Sequence, residues 1–235
     1  MPITATLLTS GTGGPTTASI TPAANQLVLV SILHRDNGGV LTNTLSGCGI
    51  SWTNISITPG TGYPVFQYLW KGISSSPSTG SLTFGYADLI SGYTVVQFSN
   101  CDDVVQTVGN YNLGTVYTGS VTLAAFSSAN NATAGTVHLG VNFPPGSVTP
   151  GSGFTEVVEV GSQPTSYVTQ SEFRNDNDTG VDWSFSPDGK YLASACELHF
   201  VAAGSPRFKR NGGTLYMPSY MQNNGYIYST SKRGW

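Results

Sequence analysis

Four carboxylates crowd the stretch "EFRNDNDTGVDW" (residues 172–183): Glu172, Asp176, Asp178 and Asp182. Hard cations such as calcium take several carboxylate and carbonyl oxygens, and Asp176-Asn177-Asp178 has the alternation with which a calcium loop begins. The twelve-residue loop pattern is not met. Counted from Asp176, glycine falls one place early, at Gly180, and the closing acid is replaced by Pro187. The competing use of these residues is an Asx-rich turn between two strands with Arg174 as charge partner. The sequence favours the turn, and no metal or cofactor is expected.

The remaining groups that could do chemistry are scattered. His34, His138 and His199 lie in separate segments ("SILHR", "TVHLG", "ELHF"), without His-x-His or His-Glu-x-x-His spacing, and read as strand histidines. No Gly-x-Ser-x-Gly elbow anchors a hydrolase triad. A glycosidase needs two carboxylates about 5 to 9 Å apart. Glu156, Glu159, Glu172 and Glu197 are available, but strand alternation turns Glu156 and Glu159 of "FTEVVEV" to opposite faces. Cys48, Cys101 and Cys196 form no paired framework and read as buried thiols, in keeping with synthesis in a reducing cytoplasm. Trp52, Tyr63, Tyr68 and Trp70 offer flat rings on which a sugar could stack, yet Trp52 and Trp70 sit within apolar strands and read first as core. These missing constellations predict a protein that is not an enzyme.

The elements that must position these groups are strands. Of 235 residues, 39% are apolar and only 9% charged, against roughly 25% charged in an average soluble protein. Thr, Ser, Asn and 29 Gly take the place of charge, a mix suited to short strands and many turns. "NQLVLVSILHR" (25–35) is a nearly continuous apolar run, as expected of a strand buried on both faces. "GISWTNISIT" (49–58) alternates with a slip of phase near Thr53 that predicts a bulge. Further strands are expected in 64–73, 80–86, 93–100, 120–128, 135–143, 154–161, 166–175, 181–186 and 191–203, and no helix. "SFSPDGK" within 181–195 has the turn chemistry of a β-propeller blade but occurs once, with no repeat at a fixed period, so it predicts a single hairpin. The start "MPITATLLTSGTGG" lacks a signal peptide's basic and apolar regions, and "LVLVSIL" (27–33) is too short to span a membrane.

Taken in order, "NQLVLVSI", "LSGCGISWTNI", "YLWKGISSSPSTGSLTF", "YTVVQFSNCDD" and "SYVTQSEFRNDNDTGVDWSFSPDG" resemble the strand order of a loose group of jelly-roll-like β-sandwich proteins. That group occurs among virion structural proteins of tailed bacteriophages, including capsid decoration or cement proteins. The resemblance spans roughly residues 20–200 and rests on strand order and a few Trp, Gly and Asp positions. It implies an antiparallel jelly-roll-like sandwich with a structural role on the capsid exterior, made in the host cytoplasm. The implied partners are the major capsid protein and copies of the chain itself as a homo-oligomer. A lectin-like, carbohydrate-binding module on the virion or tail is the alternative.

The charge divides the chain at residue 204. Residues 1–204 hold all twelve acidic residues and four basic ones, a net −8, whereas residues 205–235 hold five basic residues and no acid, a net +5. This second segment reads as an extended C-terminal arm with Arg207, Phe208, Lys209, Arg210, Tyr216, Tyr220, Tyr226, Tyr228, Lys232, Arg233 and Trp235 as interface residues. Tyr, Trp, Met and Arg are enriched at protein interfaces, and a cationic arm suits an acidic neighbour. Basic residues among aromatics also suit single-stranded nucleic acid, a reading ranked below the protein interface.

Overall fold

The computed structural model describes residues 2–35, 44–60, 65–85, 90–140, 146–161 and 167–202. They form thirteen strands: β1 Thr4–Gly11, β2 Leu27–Arg35, β3 Leu45–Gly47, β4 Ser51–Pro59, β5 Val65–Ile73, β6 Leu82–Phe84, β7 Ile90–Ser99, β8 Cys101–Thr122, β9 Ala132–Gly140, β10 Ser147–Pro150, β11 Thr155–Gly161, β12 Tyr167–Arg174 and β13 Gly180–Phe200. No helix occurs among the described residues, as the composition predicts. All pairing is antiparallel, in one sheet of order β1-β7-β2-β5-β4, a second of order β10-β13-β9-β12-β11 with β8 added to β13, and a small β3-β6 pair. The fold is all-β and sandwich-like.

β2 shows why the first sheet is buried twice. Its residues alternate faces, and both sides are apolar. Val28, Val30 and Ile32 pack with Tyr68, Tyr93 and Val95 under the β3-β6 pair, against Leu45, Leu82 and Phe84. Leu27 and Leu29 turn the other way and meet Ala132, Ala134, Cys196 and Leu198 of the second sheet. The predicted bulge in β4 lies between Asn54 and Ser56, at the slip of apolar phase.

The second sheet encloses a core of its own. β8 and β13 bend midway, and Val181, Trp183 and Phe185 of one half of β13 pack with Val137, Leu139, Val168, Tyr191, Ala193 and Ala195. Side-chain amides tie the two parts of β8 and the segment after it. Gln106 both donates to the Ala124 carbonyl and accepts from the Ala124 N–H, and Asn110 donates to the Ser120 carbonyl at 2.7 Å.

Two expectations need correction here. Residues 181–195 are no hairpin: β13 runs through "SFSPDGK" and keeps the same partner on both sides, with Ser184 opposite Thr118 and Gly189 opposite Val116. Residues 185–188 therefore stand against Tyr117 alone, as a long bulge. Pro187 has no N–H to lose from the ladder, and Gly189 packs where a Cβ would sit 2.5 Å from the Gly140 carbonyl oxygen. The same turn-forming residues bend a strand here without reversing it. The second correction concerns 101–128. The strand is 101–122, while most of the predicted 120–128 strand is irregular chain.

Candidate functional site

The two sheets meet through a polar seam. On the first sheet Ser31, Thr58, Gln67 and Thr94 are buried, and on the second His138, Thr169, Ser171 and Ser194. Ser31 Oγ lies 2.9 Å from His138 Nε2, and His138 Nδ1 lies 2.8 Å from Thr169 Oγ1. Thr94 meets Ser171 at 2.7 Å, Thr58 meets Ser194 at 3.3 Å, and Gln67 donates to the Thr136 carbonyl at 3.3 Å. A cavity of about 20 Å³ lined by Ser31, Thr94, Thr136, Ser171 and Ser194 has room for one water. Ser31 and His138 have the separation of a nucleophile and its base, but both are sealed inside the sandwich. Burial pushes the His138 imidazole down to about 3, so it stays neutral and bridges two hydroxyls.

The other two histidines fall elsewhere. His34 is buried on the outer face of β2, edge-on to Tyr68, and His199 meets Asp102 Oδ1 at 2.7 Å on the partly exposed end of β13. The structure does not bring the three together.

The acidic stretch divides into three roles. Asp176 and Asp178 hold Arg174 at 2.8 and 2.6 Å, and their other contacts close the turn onto the backbone N–H groups of Asp178 and Gly180. This is the Asx-rich turn with its arginine partner that the sequence favours. Glu172 points inward from β12 and is 1% exposed, with Oε2 accepting from Gly151 N–H at 3.3 Å. Burial pushes its carboxyl up to about 9; the Gly151 bond opposes that rise and the Asp182 charge adds to it, so Glu172 is neutral at pH 7. Glu197 is equally buried yet charged. Burial alone would raise its carboxyl, but donors from Asn131, Gln106 and Ser127 converge on it and hold it below the ordinary carboxylate range. It anchors the 123–131 loop onto β13.

Glu156 and Glu159 correct the expectation of opposite faces. β11 carries a bulge between Glu156 and Val158, which shifts the alternation by one residue. Glu156 Oε2 accepts from Gln170 Nε2 at 3.3 Å, and Glu159 Oε2 accepts from Val148 N–H at 2.5 Å, both beside β10. Burial raises the Glu159 carboxyl, the Val148 bond opposes that, and the Glu156 charge raises it further.

Of the aromatics proposed for sugar stacking, Tyr68 is buried, while Trp52 and Trp70 are half-buried and pack against the outer core; Tyr63 lies outside the described residues. Cys48, Cys101 and Cys196 are buried free thiols, and burial raises all three, Cys196 to about 12. The arm residues Arg207, Phe208, Lys209, Arg210, Tyr216, Tyr220, Tyr226, Tyr228, Lys232, Arg233 and Trp235 lie outside the described residues.

One surface went unread in the sequence. Among the described residues, five large apolar side chains are conspicuously exposed, and three of them, Val105, Tyr111 and Tyr117, are on β8; Tyr117 is 67% exposed. From Val104 to Thr122 this strand carries neither a charge nor a proline, although those are the usual means by which an edge strand is kept soluble and unpaired. The available signal was the uncharged run with spaced tyrosines, "VVQTVGNYNLGTVYTG", whose glycines and asparagines made it read as loop.

No family model, curated protein or solved structure matches this chain. Function must be argued from the residues alone.

Proposed function

We propose that the chain is a non-enzymatic structural protein of a tailed-phage virion, a capsid decoration or cement protein that binds the major capsid protein and copies of itself. The observation that carries the reading is the distribution of exposed apolar side chains: they gather on the uncharged strand β8, while Ser31–His138, Glu172 and Glu197 are spent on packing. A surface of this kind suits lasting contact with protein. The body's net −8 and the +5 of residues 205–235 support an arm that pairs with an acidic neighbour on the capsid exterior. Many weak subunit contacts would add up to firm attachment to the shell. The finer description of the fold as jelly-roll-like rests on the sequence resemblance; the strand order itself supports two stacked antiparallel sheets. A carbohydrate-binding role is the second reading, favoured by the exposed Tyr111 and Tyr117 beside Asn110 and Asn112.

The test compares the full chain with one ending at residue 204, by sizing and by sedimentation with empty capsid shells. The expected result is a folded shorter chain that no longer binds shells. A full chain that never binds shells but binds an immobilised glycan would replace the cement reading with the carbohydrate one.

A further inference from the structure

The sandwich is sealed along one side and open along the other. On the sealed side β8 crosses β4, with Gly109 against the Thr58 side chain. On the open side β1 and β11, each the last strand of its own sheet, leave a groove of about 310 Å³. Ile3 and Phe173 form its floor and belong to the core between the sheets, so the groove opens directly onto buried apolar surface. Ala5, Leu7 and Val157 form the walls, and Leu7 is 39% exposed.

Both bounding strands are irregular at this place. β1 slips register between Leu7 and Thr9, and β11 between Glu156 and Val158. Bulges interrupt the regular row of backbone partners that an added strand would need. The groove therefore suits an inserted side chain better than an inserted strand, and its volume suits one aromatic ring with its flanking atoms.

Its rim is acidic and unbalanced. Glu156 lines the groove, with Glu159 close enough on the same strand to feel its charge. Neither meets a cation among the described residues, whereas Lys71 pairs with Asp103 and Arg174 with Asp176 and Asp178.

We propose that this groove seats one aromatic side chain carried on a basic segment of a partner polypeptide, with the ring on Phe173 and Ile3 and a flanking lysine or arginine against Glu156. Buried aromatic anchors ringed by charge pairs are the usual carriers of binding energy at protein contacts. The inference refines the assembly reading by giving the partner's contacting segment a chemistry.

The experiment titrates the full chain with a capped synthetic peptide, Ser-Lys-Tyr-Lys-Ser, followed by NMR chemical shifts, beside two control peptides with Ala for Tyr or Glu for both Lys. Saturable shifts centred on β1, β11 and Phe173 are expected with the first peptide, with about tenfold weaker binding for either control, the loss of roughly one good contact. Leu7→Glu and Glu156→Gln, two exposed positions that leave the core intact, should each weaken binding several-fold at unchanged melting temperature. Equal binding of all three peptides, no saturable binding, or indifference to both variants overturns the proposal. Shell sedimentation of the same two variants separates the ideas. If shells still bind while the peptide does not, the groove assignment falls and the assembly reading stands.

Discussion

At the scale of single residues, the chemistry-bearing groups act through their surroundings. Glu172 is the clearest case, because its carboxyl is neutral only at the cost of holding a proton that the unfolded chain would release. Its folded value of about 9 lies above the unfolded 4.5. Its contribution to stability is therefore fully present below pH 4.5 and is lost as pH rises toward 9. Glu172→Gln keeps an acceptor for Gly151 N–H and removes the ionisation. At pH 8 the variant should be more stable than the parent by on the order of 3 kcal/mol, and near pH 4.5 about equal, by urea denaturation. A variant less stable than the parent at pH 8 would show that the Glu172 carboxylate is needed in its charged form.

At the scale of elements, legibility followed apolar content. β2, β5, β7, β9 and β12 were readable because burial on one or both faces writes itself as apolar runs or alternation. β8 was not, because most of it is exposed and its strand character comes from pairing with β13. β1 was missed for the same reason, and β3 and β10 are too short to show a period. "SFSPDGK" misled because turn residues are equally good at making a bulge. The bulge in β11 had no apolar signature, so the converging Glu156 and Glu159 and the groove beside them could not be read in advance. The bend in β13 gives a direct test. Gly189→Val places two methyls against Gly140 and Leu139, where even a Cβ is crowded, and should cost about 2 kcal/mol by overpacking. An unchanged denaturation midpoint would mean that the bend relaxes freely.

At the scale of the whole molecule, two buried groups in different cores set the pH range of the fold. His138, at about 3 folded against 6.5 unfolded, contributes stability that is present above pH 6.5 and lost as pH falls toward 3. Glu172 loses its contribution in the opposite direction, from 4.5 up to 9. Between pH 4.5 and 6.5 the two slopes cancel. The expected profile is a plateau there, with stability falling on each side by about 1.4 kcal/mol per pH unit. Melting temperatures across pH 3 to 9 would check it, and a maximum near pH 8 would contradict it.

The division of strands between the sheets also bears on how the protein is made. Every strand of the first sheet precedes Asn100, and every strand of the second follows it. On a ribosome the first sheet can therefore form while one broad face still waits for its cover. That face carries Ser31, Gln67 and Thr94 among its aliphatic residues. In the finished protein these side chains knit the sheets together. In the nascent chain they keep the waiting surface wettable, so the seam guards against premature clumping before it serves as a joint.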